Sequence, residues 1–395
     1  MIYLFILVLL IILIIFYDIN GKTRGRNWCY YTILAIFVLV AGLRWRLGAD
    51  TTHHLYYFYH FTPTLKEFDF NEQTLGSNSL WRLLNSFVWT VWGRFYVVQL
   101  IQAAFVNYLI FRYFKKHTNY IFTCALFYFI WRYFNMTMQE MKASFSVVLC
   151  LYGNDFIFQK KWARGYVLYM IGCLFHFSTI LILFTPLLFF LRFNMKGYVF
   201  LAITFVSIMF FRGDIADFLF TLDVDEDLAA KIELYGDNIS SSSGRDNVSI
   251  LLRFLPTVVY AVLALRYVQK NHPQERILLL EPFVMLGVLF ELTSLIIPIL
   301  YRYSHFYSVY LILFYSSYLI NFFRKSAKTY FNSAVYLTAL LFIPLIFSML
   351  VYFARGDKYT MYYPYNSVLN RKIDSAREER FNRVVDRPAP YYNEY

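Results

Sequence analysis

Residues 43–54, LRWRLGADTTHH, place two arginines, an aspartate and two histidines directly after an apolar run. Arg44 and Arg46 match phosphate oxygens, because a guanidinium offers two parallel N–H donors. Other polar side chains collect at comparable positions: Gln139, Glu140 and Lys142 in FNMTMQEMKASF, His176 in CLFHFSTI, and Arg302 in IIPILYRYSHFYSVYLILF. Ionisable groups beside membrane helices face a cavity or one another and mark substrate paths. A basic cavity at the bilayer surface suits a lipid whose head is phosphorylated or diphosphate-linked. Asp50, Glu140 and His176 are the candidate bases for an acceptor hydroxyl, and their spacing does not rank them. The simpler reading of one such arginine is a side chain snorkelling to the interface; two with an acid favour a site. His53 and His54 do not read as a metal pair, since neighbours on a helix point about 100° apart.

The elements that must carry these residues are membrane helices. Of 395 residues, 59% are hydrophobic and only 16% charged, where a soluble domain carries roughly a quarter charged. The first apolar run, MIYLFILVLLIILIIFY, reads as a retained span. Lys and Arg concentrate in six short turns, NGKTRGRN, FRYFKKHTN, QKKWARG, LRFNMKG, LRYVQKNHPQER and FFRKSAK, which together hold one carboxylate, Glu275. The positive-inside rule puts these turns in the cytoplasm. Each neighbouring pair then encloses one excursion, which gives about twelve transmembrane or re-entrant helices at roughly 20 residues each, with both termini outside. The net charge of +12 is spread among turns rather than gathered on one face, which argues against nucleic acid.

Two stretches strain the count. Residues 166–191 are too few for two full spans, so two short or re-entrant helices meeting near His176 are expected there. Residues 79–93, SLWRLLNSFVWTVWG, are short and Trp-rich and suit a helix lying in the outer interface. The expected organisation is an all-α membrane domain over 1–355, with an outward-facing polar loop at 212–249, followed by a polar, solvated tail over 356–395. Glu281 reads as a helix-end residue and Glu291 as a cavity candidate. Four cysteines in or beside apolar runs show no CxxC spacing, and DVDED (223–227) reads as a solvated acidic face rather than a metal site. The 36 tyrosines and 43 phenylalanines would suit sugar stacking, and they suit membrane interfaces equally.

The order of four motifs, LRWRLGAD, MTMQEMKASFSVVLCLYG, LYMIGCLFHFSTILIL and LYRYSHFY, resembles the EpsG family of bacterial polysaccharide polymerases, relatives of the Wzy enzymes, over most of residues 30–320. Arg46, Gly48 and Asp50 match that family's R-x-G-x-D and Phe58 its following phenylalanine, while His54 stands where tyrosine is usual. Lys142 and Ala143 occupy the place of its Arg-Gln, with Ser146 as the small residue. His176 matches its H-S-[AT] loosely and Arg302 its late arginine. The resemblance implies a GT-C-like glycosyltransferase, multi-pass in the bacterial cytoplasmic membrane and acting at the outer face without cofactor or metal. It would transfer a growing glycan from an undecaprenyl-diphosphate carrier to a hydroxyl of a lipid-linked repeat unit, for exopolysaccharide, capsule or O-antigen. Arg44, Arg46, Gln139, Lys142 and Arg302 would hold diphosphate and glycan, and Asp50, Glu140 and His176 would be catalytic. Implied partners are the undecaprenyl-diphosphate-linked oligosaccharide, membrane lipids and a chain-length regulator protein, with no nucleic acid. The alternatives are a flippase for lipid-linked oligosaccharides and a membrane O-acyltransferase.

Overall fold

The computed structural model describes residues 2–69, 78–189, 191–192, 194–211, 280–294, 300–329, 361–371, 375, 378–379 and 381–382. All regular structure among them is helical. The loop at 212–249 and the basic turn at 265–276 lie outside the described residues. The chain forms two units, Met1–Pro186 with Phe347–Tyr395, and Leu187–Ile346.

In the first unit, α1 (Ile2–Leu13) runs on as a π-helical segment, Ile14–Ile19, and α2 spans Arg26–Gly42. Next come α3 (Ala49–His60), α4 (Ser79–Val91) and α5 (Phe95–His117). Helix α6 (Ile121–Tyr128) continues as a second π-helical segment, Phe129–Gln139, and is followed by α7 (Met141–Phe158) and α8 (Trp162–Phe175). Segments Ile2–Ile19 and Phe95–His117 are long and apolar enough to cross a membrane, and Arg26–Gly42, Thr179–Leu188 and Met195–Ile208 are shorter apolar helices. On α1, Leu4, Val8, Ile11, Ile12 and Ile15 stay exposed at helical spacing while Ile6, Leu10 and Leu13 are buried. An apolar stripe of that length left uncovered belongs against lipid.

Polar ties define one end of this bundle. Buried Asp18 accepts from the backbone N–H of Thr123 at 2.7 Å and from its hydroxyl at 2.8 Å, with Arg26 at 3.6 Å. A carboxylate there satisfies an orphan N–H and meets the positive end of the α6 dipole. Arg26 also donates to the Asn119 carbonyl, and Lys115 to Asn27 Oδ1 at 3.3 Å. Asp155 near the end of α7 accepts from the Tyr113 hydroxyl at 2.8 Å and pairs with Lys116 and with His117. The basic turns at 20–27 and 111–119 and the approach to 159–165 therefore share one end, as alternate crossing requires. Because α2 and α5 both have their basic ends here, residues 43–94 start and finish at the opposite end. Helix α4, about 20 Å long at 1.5 Å per residue, lies within that interval and is too short to span.

Helices α7 and α8 pack through small residues. The Ser146 hydroxyl donates to the Gly172 carbonyl at 2.7 Å. A Cβ on Gly165 would lie 2.2 Å from Ile157 and 2.9 Å from the Gly153 carbonyl, and one on Gly153 would lie 2.7 Å from the Tyr169 ring. Such contacts drive helix association where lipid cancels the hydrophobic gain. Helix α8 ends at His176, and a 3₁₀ segment, Phe177–Leu188, follows. The break between two short helices thus falls where the length of 166–191 puts it.

In the second unit, α9 covers Met195–Phe210, its N-cap Asn194 accepting from the Gly197 N–H at 2.9 Å. Helix α10 (Glu281–Thr293) begins at Glu281, with Pro282 in its first turn, as a helix-end reading requires. It packs against α11 (Tyr301–Thr329), where Phe283 stacks on Tyr310 and Phe290 on Tyr307. One expectation is corrected: FFRKSAK is not a turn but the last part of the 29-residue α11.

Candidate functional site

The non-basic end of the first unit gathers most of the sequence candidates. Its floor is a core of Leu55, Phe58, Trp81, Phe95, Met141 and Phe145, against which Trp45, Phe175 and Phe381 pack. Phe58, the aromatic at the motif's end, is therefore a packing residue. Phe145 stacks on Phe175 with ring centroids 4.5 Å apart, which brings His176 beside the first half of α7.

The loop 43–48 folds through two unusual backbone positions, Arg46 at φ 49° and Gly48 at φ 91°. A Cβ on Gly48 would lie 2.7 Å from the Met138 carbonyl oxygen, so the glycine of R-x-G-x-D is required twice over, by φ and by space. Gly48 is the N-cap of α3 and Asp50 lies in its first turn, where a carboxylate also stabilises the helix dipole. The Thr51 hydroxyl donates to the Met138 carbonyl at 2.9 Å and accepts from Arg44 Nη2 at 3.2 Å. The R-x-G-x-D loop is thereby joined to the end of the π-helical segment, 87 positions away.

That segment supplies the second half of the site. Gln102 Nε2 donates to the Thr137 carbonyl at 3.1 Å and to the Ser144 hydroxyl at 2.8 Å, bracketing the break between Gln139 and Met141. Tyr128 donates to Asn107 Oδ1 at 3.1 Å and touches the Thr137 hydroxyl. Glu140 is the N-cap of α7, and Lys142 is in its first turn. π-Helical insertions free carbonyls and recur at functional sites. Here the freed oxygens are taken by side chains of neighbouring elements.

Arg44 and Arg46, two residues apart, have different surroundings. Arg44 is fully buried; it donates to the Ala41 carbonyl and to Thr51, and Tyr3, Tyr133, Tyr362 and Tyr365 surround it. Burial pulls its guanidinium down to about 10, still charged at neutral pH. Its Nη donors are turned inward onto Ala41 and Thr51, a position from which it holds the loop. Arg46 is only partly buried, pairs with Glu378 Oε2 at 3.2 Å and lies 3.8 Å from the Phe381 ring centroid. His54, on α3 outside the spans, is buried 5.1 Å from the Trp81 ring. Burial first, then the charges of Lys142, His53 and Arg44, hold its imidazole well below the ordinary histidine value. Lys142 and Arg44 thus act on His54 as one positive field.

The tail is not a solvated extension in its described part. Trp45 N–H donates to the Asn366 carbonyl at 2.9 Å, Val368 N–H to the Leu43 carbonyl at 2.8 Å, and Gly48 N–H to the Met361 carbonyl at 3.1 Å, with an antiparallel bridge between Arg44 and Ser367. The Tyr362 hydroxyl donates to Gln139 Oε1 at 2.8 Å, and Tyr365 to the Val40 carbonyl at 3.1 Å. Backbone pairing is indifferent to side-chain polarity, so a polar composition concealed it. Thr51, Gln102 and Tyr362 are positioning residues that the motifs do not mark. Gln102 carried a signal, as an amide inside the apolar run VVQLIQAAFV; Tyr362 carried none.

Arg302 is the second residue of α11 in the second unit and is exposed. Glu291 lies in α10 of the same unit. The four cysteines are free thiols, and no cluster of three His, Cys, Asp or Glu side chains that could hold a metal occurs among the described residues.

A helical membrane protein with a charged loop and a broken helix meeting at one end of its bundle is the class these features define. The family model of the EpsG family matches residues 27–367, most of the chain, and the protein belongs to that family. The match runs from the basic turn at the start of α2 to Ser367, which bridges to Arg44. Membership makes it a membrane protein of exopolysaccharide biosynthesis. No curated protein and no solved structure matches the chain.

Proposed function

We propose that the protein is a polysaccharide polymerase that joins undecaprenyl-diphosphate-linked repeat units at the outer face of the bacterial cytoplasmic membrane, with about twelve crossings in a GT-C-like arrangement. The observation that carries this reading is the junction of the R-x-G-x-D loop with the π-helical segment. It sets Arg46, Asp50, Gln139, Glu140 and Lys142 at one end of the bundle, the end opposite the basic turns. In the reaction the acceptor hydroxyl oxygen attacks the anomeric carbon of the donor sugar, the bond from that carbon to the diphosphate oxygen breaks, and the carrier departs as an anion. Arg46 and Lys142 stabilise the charge that grows on the departing diphosphate, aided by the N-terminal end of α7. Arg302, in the second unit, is assigned a substrate-binding role on the family resemblance alone. The acceptor proton passes to Asp50, Glu140 or His176. Arg44 acts through the loop it holds.

Purified protein in lipid, given only synthetic lipid-linked repeats, is expected to make longer lipid-linked chains without ATP or nucleotide sugar, and Arg46→Ala or Lys142→Ala to make at least tenfold less. Movement of the lipid across the bilayer without elongation, by folded protein on its native repeat, would replace the polymerase with a flippase.

A further inference from the structure

Arg46, the less buried member of the arginine pair, is already covered from within the chain. Glu378 Oε2 lies 3.2 Å from Arg46 Nη1, and Phe381 lies under the guanidinium with its centroid 3.8 Å away while also packing against the apolar floor of Leu55, Phe58 and Trp81. A carboxylate on one edge and an aromatic ring on the face fill the two surfaces by which an arginine recognises an anion attached to an apolar chain.

The tail meets the loop in two distinct ways. Residues 361–368 are a strap: they pair with the backbone at Leu43, Trp45 and Gly48, on both sides of the positive-φ Arg46, and fall within the family match up to Ser367. Glu378 and Phe381 lie beyond that match: Glu378 pairs with the arginine side chain, and Phe381 lies under it while resting on the apolar floor and against Tyr56. The Glu378 side chain is 50% exposed and that of Arg46 13% exposed. An ion pair with a half-exposed partner is weak and is screened by salt, whereas a diphosphate brings at least two charges and several acceptor oxygens.

We propose that Glu378 and Phe381 form an internal latch that occupies Arg46 when no ligand is bound, and that an anionic diphosphate group displaces it. The proposal rests on the assignment of Arg46 to diphosphate binding. The carboxylate stands in for a phosphate oxygen and the phenyl ring for the apolar part of a lipid-linked ligand. Displacement frees the guanidinium while the strap keeps the loop in shape, so the site opens without unfolding. Monovalent acids are too weakly held to release the latch, which restricts opening to polyanionic headgroups.

The test uses the full chain in lipid nanodiscs, with inorganic pyrophosphate as the probe. Calorimetric titration is run on the wild type, Glu378→Gln, Glu378→Gln/Phe381→Ala and Arg46→Ala. Brief trypsin digestion with mass spectrometry reports release of the tail beyond Ser367. The double variant is expected to bind pyrophosphate about 3–10-fold more tightly than the wild type, with Glu378→Gln between them. Pyrophosphate should speed tail cleavage in the wild type and leave the already fast double variant unchanged. Binding that needs Arg46 but is indifferent to Glu378 and Phe381, with equal cleavage rates, overturns the latch and leaves the polymerase reading standing. Binding that survives Arg46→Ala undiminished, or no binding by any variant, removes the assigned ligand of Arg46 and the latch with it.

Discussion

Gly48→Ala tests whether the loop and the π-helical segment act as one construction. At φ 91° and ψ 140° the backbone is in a region nearly closed to residues with a Cβ, which costs about 1–3 kcal/mol. The added methyl would also lie 2.7 Å from the Met138 carbonyl oxygen. No rotamer moves a Cβ, so the loop or the segment must shift, at an overpacking cost of about 1–3 kcal/mol. The sum is about 2–6 kcal/mol. Gly93 gives the control. It too has positive φ, 58°, but the nearest atom to its added Cβ is the Trp89 carbonyl oxygen at 3.8 Å, so Gly93→Ala should cost only the left-handed term, about 1–2 kcal/mol. The two variants are compared by reversible unfolding in mixed micelles and by trypsin protection of the tail, because the Gly48 N–H also holds the Met361 carbonyl at 3.1 Å. Gly48→Ala should expose the strap and Gly93→Ala should not. Equal stabilities for the two variants, or full tail protection in Gly48→Ala, would refute the reasoning.

Gly165→Ala should destabilise the α7–α8 seam by about 1–3 kcal/mol, and adding Ile157→Ala should recover part of that loss in the same unfolding assay; a strictly additive loss would show that the two do not meet. His54 has a folded-state pKa below its unfolded value of about 6.5, so the unfolded chain binds the extra proton and stability falls as pH drops below about 6.5. The slope is at most about 1.4 kcal/mol per pH unit. His54→Phe, which retains an aromatic ring beside Trp81, should flatten stability measured between pH 7.5 and pH 5.5, and an unchanged slope would clear His54. Arg44→Lys should lower folded yield and polymer output together, because lysine lacks the fork that joins Ala41 and Thr51, while Arg46→Lys should lower output with yield preserved; the reverse pattern would exchange the roles assigned to the two arginines.

The legible parts of this structure were those that follow from length and polarity. The helix break at His176 follows from an apolar stretch too short for two spans, and the shortness of α4 from a short Trp-rich run. The shared level of Arg46, Gln139 and Lys142 follows from counting crossings between basic turns. The division of labour between Arg44 and Arg46 was not legible, because residue type is the same and orientation is set by two left-handed backbone positions. The π-helical segment leaves the apolar pattern of FIWRYFNMTMQ unchanged and shows only in hydrogen bonding. The strap was hidden for the same reason, since its pairing uses main-chain groups that every residue carries. The basic run at 322–328 reads as a turn in the sequence because cations mark helix ends and loops alike.

The bridge between Arg44 and Ser367 bears on how the protein is made. Helices α1 and α2 enter the membrane early in synthesis, yet the loop after α2 gains its backbone partners only from residues translated far later; Tyr365 and the carbonyl it reaches are 325 positions apart. Until that segment has been delivered to the far end of the bundle, Trp45 and Gly48 lack their acceptors and nothing holds Arg46 at positive φ. A ribosome-bound or prematurely terminated chain therefore carries the motif without its folded shape.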